Sequence, residues 1–552
     1  MRTLYLLIIV FAYSASSFGQ VKVAVSIDSI FAKWDKPGVP GCTLGIMKDG
    51  KLIYARGYGM ANLEYGIRNT SNSVFRIGST SKQFTAACII RLAEQGKLSL
   101  DNTLDKFYPE FPAYAEKITI RHLLNHTSGI RDYLILSYLK GLGDDDYYTD
   151  DDVMQWLTHQ TELNFQPGEE HLYSNSGYWL LGQIVNKAAG MPMADYAAKE
   201  IFKPLGMNNT HFHTDHTQIV KKRASGYEPD GAGYKICMTT LGLIGDGGVF
   251  TTVNDLKKWD DAYYKSDVLS RRFWNMMTER GILNNGDTLD YACGLVVSTH
   301  KGLKTISHGG AFVGYRTQLL RFPEQHFSVA ILTNRADANP SRMAYKVADI
   351  FLADKYTDKT EKQPAKKQNE PATKPDVIFT LKQLTGTFSI EPGVDMELKI
   401  KNDTLNITQL WNNSSYNVVA KNGNTYQIPG EASISFVFSE LKDGIAHVMT
   451  IHQNGGKAVC QRKKEVDLSG IDLADYAGNY YSTELDVTYI ITLADNSLKL
   501  KIRNHERADM NIIDVDQYSS NGTILRFSRQ NDKVSGFYLD AGRVKNLGFV
   551  KK

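Results

Sequence analysis

Ser79 and Lys82 stand three residues apart in the segment Ser79-Thr80-Ser81-Lys82. The run that follows, QFTAA at 83–87, predicts the start of a helix, so both side chains would lie on one face near its N-terminus. A serine hydroxyl becomes a good nucleophile when a neighbouring base takes its proton, and a partly neutral lysine can be that base. The pair therefore predicts a nucleophilic serine, although S-x-x-K alone is a weak signal in a chain of this length.

A second group of polar residues, Tyr173 and Asn175, follows a Gln-Pro-Gly turn signal at 166–168 and precedes the apolar, helix-like stretch 178–182. A tyrosine phenol held near Lys82 could pass a proton to a leaving group. The amide of Asn175 could hydrogen-bond a substrate carbonyl. Most tyrosines, however, are half-buried aromatic residues whose hydroxyl is hydrogen-bonded. Tyr173 and Asn175 therefore indicate a catalytic site only in combination with Ser79 and Lys82.

A third group, His308-Gly309-Gly310, comes shortly before the strand-like run Thr317–Phe322. Glycines at this point would let a substrate backbone lie close to the strand edge. An isolated histidine is more often structural than catalytic. The order of the three groups is what an active-site-serine hydrolase with a lysine and tyrosine proton-transfer system requires.

Two sets of histidines have spacings that could hold a metal: His122 with His126, and His211 with His213 and His216. No carboxylate-rich or cysteine-rich pattern accompanies either set. We therefore expect no metal ion and no other cofactor. The acidic stretch 143–152 is expected to form a solvated loop that ends in a helix N-terminus, where Asp150, Asp151 and Asp152 would favour the helix dipole.

The amino-acid composition limits the classes of molecule that this protein is expected to bind. The 552 residues carry a formal charge of +3, with 22% charged and 42% hydrophobic residues, as in an ordinary globular protein without a basic excess for nucleic acid. We expect a small-molecule or peptide substrate, which could derive from the cell wall. Five scattered cysteines include no C-x-x-C pair, so most are expected to be buried thiols, with a single disulfide left open.

The N-terminus has the layout of a secretory signal: Arg2, an apolar run Leu4–Tyr13, then small and polar residues to Gly19. We expect a signal peptide over 1–19, removed after Gly19, and a secreted or periplasmic protein. The apolar run is about half the roughly 20 residues that span a bilayer, and nothing later reads as a membrane helix. No cysteine follows the run to take a lipid anchor.

The composition of the chain changes at 355–375. This stretch is polar and contains three prolines, which predicts an interdomain linker. Before it, over 20–354, helix-like segments such as 82–95 and 177–189 mix with strand-like runs such as Phe327–Thr333, which indicates an α+β or α/β domain. After it, short alternating runs predict two all-β domains, 376–466 and 467–552. These domains repeat each other weakly, since LTGTF at 384–388 resembles YAGNY at 476–480, NDTL at 402–405 resembles DNSL at 495–498, and 438–443 resembles 527–532.

The three groups of residues resemble the motifs of the serine β-lactamase and penicillin-binding-protein superfamily, S-x-x-K, Y-x-N and a third motif that is K-T-G in many members. The segment ITIRHLLNHTSG at 118–129 and the segment GGVFTT at 247–252 are similar to its class C-like branch, which includes D-aminopeptidases, class C β-lactamases and esterases. The resemblance covers roughly 24–353. It implies an α+β transpeptidase-like domain, an antiparallel sheet flanked by helices, followed here by two small β-barrel or sheet domains.

Carried over to this sequence, the resemblance makes Ser79 the nucleophile and Lys82 with Tyr173 the acid–base system. It makes Asn175, His308 and Gly310 substrate-binding residues, and it places the oxyanion hole at the backbone amides of Ser79 and Ala311. His308 stands where many members have the lysine of the third motif, which disfavours recognition of a substrate carboxylate there and fits the H-x-G variant of D-aminopeptidase-like members.

The leading interpretation is a D-aminopeptidase-like peptidase or amidase that acts through an acyl-enzyme on Ser79. A carboxylesterase or β-lactamase-related hydrolase of the same fold is the alternative. A penicillin-binding sensor or non-catalytic scaffold is the alternative of another class, although binding alone does not need the complete Ser79, Lys82 and Tyr173 set. Substrate identity and oligomeric state do not follow from the sequence.

Overall fold

The protein is described by a computed structural model over residues 23–143, 146–357, 379–390, 394–410, 414–429, 431–453, 456–463, 470–503 and 505–552. The chain divides into two compact units, Met1–Lys362 and Gln363–Lys552. The predicted signal peptide and the predicted linker from residue 358 onward lie outside the described residues.

The first unit is built from ten helices and thirteen strands within its described residues. The helices are α1 (23–31), α2 (Lys82–Glu94), α3 (Ile120–Leu124), α4 (Tyr133–Leu139), α5 (Asp150–Thr158), α6 (Asn175–Ala189), α7 (Met193–Ala197), α8 (Val253–Tyr264), α9 (Arg271–Met277) and α10 (Pro340–Leu352). The strands are β1 (Cys42–Lys48), β2 (Lys51–Tyr58), β3 (Met60–Asn62), β4 (Ile67–Arg68), β5 (Phe75–Arg76), β6 (His211–Phe212), β7 (Tyr227–Asp230), β8 (Gly233–Ile236), β9 (Val249–Thr251), β10 (Val296–His300), β11 (Leu303–Phe312), β12 (Tyr315–Phe322) and β13 (Phe327–Thr333).

The main sheet of this unit has six antiparallel strands in the order β10-β11-β12-β13-β1-β2. Its central strand β13, FSVAILT, is buried at every position because both faces of the sheet are covered. On one face, α1 and α10 contribute Phe31 and Val347 to a core with Leu44 and Ile331. The α+β architecture expected from the mixed sequence pattern is confirmed.

Helix α2 is enclosed by several other elements of the unit, and its first residue, Lys82, is the last residue of the S-x-x-K motif. Ten of its thirteen residues are buried, 82–90 and Leu92, so other elements enclose the helix on nearly all sides. It packs against α6, α7 and α9. Helix α6 ends at Gly190, whose φ of 67° is the left-handed conformation that glycine adopts without strain.

The second unit contains two closed barrels of eight antiparallel strands each. The first barrel follows the one-turn helix α11 (Leu381–Leu384), and its strands are β14 (Gly386–Ser389), β15 (Asp395–Lys401), β16 (Thr404–Gln409), β17 (Ser415–Asn422), β18 (Thr425–Ile428), β19 (Glu431–Lys442), β20 (Ile445–Gln453) and β21 (Gly456–Arg462). The strands of the second are β22 (Gly478–Ser482), β23 (Val487–Ala494), β24 (Ser497–Ile502), β25 (His505–Asp514), β26 (Gln517–Ser520), β27 (Thr523–Gln530), β28 (Lys533–Ala541) and β29 (Val544–Lys551).

The weak sequence repeats occupy equivalent places in the two barrels. The resembling segments 384–388 and 476–480 lead into the first strand of each barrel, and NDTL and DNSL form the turn between the second and third strands. Asn402 and Asp403, and likewise Asp495 and Asn496, have positive φ values of 49° to 58°, as two-residue hairpin turns require. Two copies of one barrel therefore follow the hydrolase-like unit, as the repeats predict.

All five cysteines are free thiols, and four of them are buried: Cys42, Cys88, Cys293 and Cys460. Within the described ranges, no helix is both long enough and apolar enough to cross a membrane.

Candidate active site

The serine of the first motif lies on a tight turn, not on the α-helix itself. Residues Gly78–Ser81 form one turn of 3₁₀-helix that runs directly into α2 at Lys82. Residues three apart are nearly eclipsed in such a turn, and the Lys82 Nζ donates a hydrogen bond of 3.2 Å to the Ser79 Oγ. The predicted proximity of these two side chains is confirmed.

The side-chain amine of Lys82 is fully buried, with 0% exposure, and has three hydrogen-bond partners. Besides Ser79, it donates to the Asn175 Oδ1 at 2.8 Å and to the backbone carbonyl of Asp246 at 2.6 Å. Each partner is a neutral oxygen. In the described part of the chain no carboxylate pairs with this amine, so none has to be separated from it when it changes protonation state.

Asn175 is held from behind by Asp132. The Asp132 Oδ2 accepts hydrogen bonds from the Asn175 backbone N–H at 2.7 Å and from its side-chain Nδ2 at 3.0 Å. The second oxygen of Asp132 caps α4 by accepting from the backbone N–H groups of Leu134 and Ile135. This fully buried carboxylate thus lies at the N-termini of both α4 and α6, where helix dipoles favour negative charge. The Asn175 carbonyl oxygen is thereby aimed at Lys82.

Tyr173 packs against the lysine and is positioned by the HTSG part of the 118–129 segment. The Lys82 Nζ lies 4.8 Å from the centroid of the Tyr173 ring, within the range of a cation–π contact. The ring of His126 lies against the Tyr173 ring at 4.2 Å, and the His126 Nδ1 accepts a hydrogen bond of 3.1 Å from the Ser174 N–H. The backbone carbonyl of His126 accepts from Leu172. The segment therefore fixes the loop that carries the second motif.

His308 is buried on β11, with 6% exposure, and its ring hydrogen bonds define its protonation. Its Nδ1 lies 2.6 Å from the Gly309 carbonyl, which can only accept, so Nδ1 carries the proton. Its Nε2 then accepts from the hydroxyl of Tyr291 at 2.9 Å. Burial, with the charge of Lys82, lowers the pKa of His308 to about 4. The residue is a neutral imidazole at pH 7.

Gly310 of the third motif packs closely against the turn that carries Ser79. A Cβ on Gly310 would lie 2.0 Å from the Ile77 carbonyl and 2.4 Å from the Thr317 Oγ1. The absent side chain thus makes room for the backbone just before the Ser79 turn. Gly78 has a φ of 50°, and a Cβ there would lie 2.9 Å from the Ala311 nitrogen. The two glycines bring the backbone at Ala311 against the Ser79 turn.

Three of the histidines with metal-like spacing, His122, His211 and His213, each have a ring nitrogen within hydrogen-bond distance of another residue. The backbone N–H of Thr119 donates to the His122 Nδ1 at 3.2 Å, and the Thr119 hydroxyl accepts from the His122 backbone in return, a capping box at the start of α3. The His211 Nε2 and the His213 Nδ1 are 3.4 Å apart. The described residues contain no group of three or more metal-ligating side chains.

Comparison with known proteins agrees with this arrangement. Residues 27–353 match the family described as Beta-lactamase. The chain belongs to the β-lactamase family. This β-lactamase-family protein is accordingly a serine hydrolase that acts on amide or ester bonds.

Three similar proteins illustrate the relationship. A penicillin-binding protein 4* from Bacillus subtilis is 30% identical over 64% of this chain and 81% of its own length. A D-aminopeptidase from Gluconobacter oxydans is 27% identical over 59% of this chain, and the match spans 62% of that relative, less than two thirds of it. The octameric penicillin-binding protein homologue from Pyrococcus abyssi covers 88% of this chain and 98% of its own, with a TM-score of 0.54 and 24% identity, and so shows a shared fold.

Three residues of the site were not found from the sequence of this β-lactamase-family protein: Asp132, Asp246 and Tyr291. Asp132 follows the HTSG segment closely and Asp246 directly precedes the GGVFTT segment, so each adjoins a recognisable motif. Tyr291 has no such neighbour. Burial raises the pKa of Asp246, opposed by the charge of Lys82, and its carboxylate accepts from the Tyr133 hydroxyl at 3.1 Å.

Proposed function

We propose that this protein is a secreted, D-aminopeptidase-like amidase or peptidase that acts through an acyl-enzyme on Ser79. The observation that carries the proposal is the set of hydrogen bonds at Lys82, because one buried amine contacts both the Ser79 Oγ and the Asn175 Oδ1. A base in contact with a serine hydroxyl is the requirement for nucleophilic attack, and an amide beside it can orient a substrate carbonyl group.

In the proposed reaction the amine of Lys82 is neutral, so its lone pair accepts the hydrogen of the Ser79 hydroxyl. Lys82 takes this proton as the Ser79 Oγ forms a bond to the substrate carbonyl carbon. The resulting oxyanion faces the backbone N–H groups of Ser79 and Ala311, each worth about 3 kcal/mol in transition-state stabilisation. The proton then passes from Lys82 through the Tyr173 hydroxyl to the leaving amine, and the C–N bond breaks. Water attacks the acyl-enzyme by the same route in reverse and releases the acid and free Ser79.

The neutral state of His308 supports an amide or amine substrate over one whose carboxylate binds at this motif. A lysine there would present a permanent cation to a substrate carboxylate, whereas His308 is a neutral imidazole that donates to Gly309 and accepts from Tyr291. The similarity to D-aminopeptidases, which spans less than two thirds of those proteins, points in the same direction. The charged-apolar-small order of the first 19 residues supports export.

The test is turnover by the purified protein of matched substrates: D- and L-aminoacyl p-nitroanilides, the corresponding p-nitrophenyl esters and a chromogenic cephalosporin. The proposal expects hydrolysis of the D-aminoacyl anilides with a preference over the L-forms. Hydrolysis of esters alone would replace it with the esterase function. Absence of any turnover, with stable labelling of the protein by the cephalosporin, would replace it with the penicillin-binding sensor.

A further inference from the structure

A small cavity opens beside the hairpin that joins β11 to β12. Its lining includes Arg76, Arg223, His213 and Val313. Arg76 precedes Ser79 by three residues, and Val313 follows Ala311 by two. The cavity therefore lies at the C-terminal end of β11, and Ala311 of the proposed oxyanion hole stands between His308 and Val313 in the chain. Neither the catalytic scheme nor the comparisons assign it a role.

Arg76 is the first unusual feature of this cavity. Its side chain is buried, with 6% exposure, yet its guanidinium forms no hydrogen bond and no ion pair with any residue that the structure describes, and its Nε is fully enclosed without a partner. The Phe312 ring lies 4.7 Å from the guanidinium carbon and covers one face. A buried guanidinium is costly unless an acceptor meets its N–H groups, so an acceptor from outside the chain would stabilise it.

Two further cationic or proton-bearing groups line the same cavity. The ring of His213 is 3% exposed and packs on Phe250, and its Nε2 has no hydrogen-bond partner among the described residues. Burial, with the charges of Arg76 and Arg223, holds the pKa of His213 near 4. Arg223 is half-buried and likewise makes no ion pair in the described ranges.

The neighbouring carboxylates do not neutralise this cluster by contact. Asp246 and Arg76 interact electrostatically but form no hydrogen bond or ion pair with each other. The Asp246 carboxylate instead accepts a hydrogen bond from the Tyr133 hydroxyl. Asp215 acts on His213 in the same way, while its side chain caps the turn at Thr217. The positive charge of the lining is therefore available to a ligand.

We propose that this cavity binds a single carboxylate-sized anion through Arg76 and Arg223, with His213 as a third polar contact. The cavity volume is about 20 Å³, and since one water needs about 10–15 Å³ on this scale, there is room for one small polar group and not for a whole amino acid. Planar guanidinium groups match the two oxygens of a carboxylate. Such a group can belong to the substrate or to a free small anion.

The substrate form of this inference rests on the proposed function, whereas the anion site itself does not. It would also explain how a member without the lysine of the third motif can still select substrates that carry a carboxylate. The carboxylate would bind beside Val313, at the C-terminal end of β11, instead of beside His308.

The experiment measures binding by isothermal titration calorimetry in the Ser79→Ala protein, so that no ligand is consumed. Three matched pairs are used, each a carboxylate beside its neutral amide: acetate and acetamide, N-succinyl- and N-succinamoyl-D-phenylalanine amide, and D-phenylalanyl-D-alanine and its C-terminal amide. The first pair tests a free anion, the second a carboxylate on the acyl side and the third one on the leaving-group side. Arg223→Gln and Arg76→Gln are compared with Lys221→Gln, which removes the same charge from an exposed position that does not line the cavity.

The proposal expects the carboxylate of at least one pair to bind about tenfold more tightly than its amide, as a charge-assisted contact provides. This preference should be lost in Arg223→Gln and kept in Lys221→Gln. Circular dichroism checks that each variant is folded. If Arg76→Gln does not fold, because Arg76 is buried, the test relies on Arg223→Gln alone. No carboxylate preference in any pair, or a preference that survives Arg223→Gln, would overturn the proposal. The acetate arm needs no hydrolysis, so an inactive protein would refute the proposed function and leave this test intact.

Discussion

The side chains that support Ser79 from below and those inside the second barrel are both buried, but they are of different kinds. Around Ser79, the fully buried Lys82 and Asp132 are joined to their neighbours by hydrogen bonds. Inside the barrel, aromatic rings meet one another, with Phe537 at 4.6 Å from Phe549 and 5.0 Å from Tyr480. Buried polar groups cost free energy unless every one is paired, whereas apolar rings stabilise by burial alone.

This difference separates two kinds of mutational effect. In the barrel, truncation of a ring removes buried apolar area and leaves a cavity, so the free energy of unfolding falls. Around Ser79, a substitution that preserves shape but removes a proton or a hydrogen bond acts on catalysis first. Substitutions of matched size in the two interiors should therefore move stability and activity in opposite proportions.

The largest effect is expected for Lys82→Met, which keeps the length of the side chain and removes the proposed base. We expect kcat to fall by about 10³–10⁴-fold, because no other group hydrogen-bonded to Ser79 in the described structure can take its proton. Unfolding free energy should change by less than about 2 kcal/mol, since removal of a buried charge offsets the lost hydrogen bonds. Steady-state kinetics and urea denaturation test the two halves; near-wild-type kcat would contradict the assignment of Lys82.

The second largest effect is expected for Phe537→Ala in the second barrel, which should change stability rather than catalysis. Phe537 is 1% exposed, and its truncation should lower the unfolding free energy by about 3–5 kcal/mol. The matched control is Tyr538→Ala, because the adjacent side chain is 51% exposed and should cost under about 0.5 kcal/mol. Urea denaturation followed by far-ultraviolet circular dichroism measures both. Equal losses would mean that the ring cluster does not stabilise the barrel.

The third largest effect is expected for Asp132→Asn, which tests how Asn175 is positioned in the active site. Asparagine caps a helix as well as aspartate does, so α4 should keep its start. It offers one oxygen instead of two, however, and cannot both cap α4 and accept the two hydrogen bonds from Asn175. We expect kcat to fall by about 10- to 100-fold with a smaller change in KM. A loss confined to thermal stability would show that Asp132 does not position Asn175.

The smallest effect is a pH dependence that originates at His308. Its folded pKa of about 4 lies below the ordinary value of 6.5, so the unfolded chain binds the proton more readily. The resulting stability is fully present above about pH 6.5 and is lost as the pH falls toward 4. Between pH 7 and pH 5, His308→Gln should therefore lose less unfolding free energy than the wild type, by about 1–2 kcal/mol. Identical pH dependence of the two proteins would refute the neutral, buried imidazole.

Much of the arrangement was predictable because the signals are local or belong to a family pattern. Ser79 and Lys82 are one helical turn apart. The residue types of Asp495 and Asn496 predict a hairpin turn without information from the rest of the chain. The structure also confirms the predicted helices at 82–95 and 177–189, as α2 and α6. Tyr173 and Asn175 were singled out between a turn signal and a helix-like run, and the family motif then gave them their expected roles.

What the sequence could not supply depends on contacts between distant segments. The backbone carbonyl of Asp246 reaches Lys82 across 164 positions, and a carbonyl leaves no mark in the identity of its residue. The close packing of Gly310 on the Ile77 carbonyl, which lies where a Cβ would be, also joins segments that are far apart in the chain. The closure of each eight-stranded barrel likewise depends on pairing of the first strand with the last, β14 with β21 and β22 with β29.

The central claim is that Ser79, and no other serine, is activated by Lys82. Intact mass spectrometry after incubation with a fluorophosphonate probe tests it most directly, with Ser79→Ala beside Ser81→Ala. Ser81 is the matched control because it lies on the same turn but accepts a hydrogen bond from the Val249 backbone instead of from Lys82. The wild type and Ser81→Ala should each gain one adduct and Ser79→Ala none. An adduct on Ser79→Ala, or no adduct on the wild type, would contradict the account.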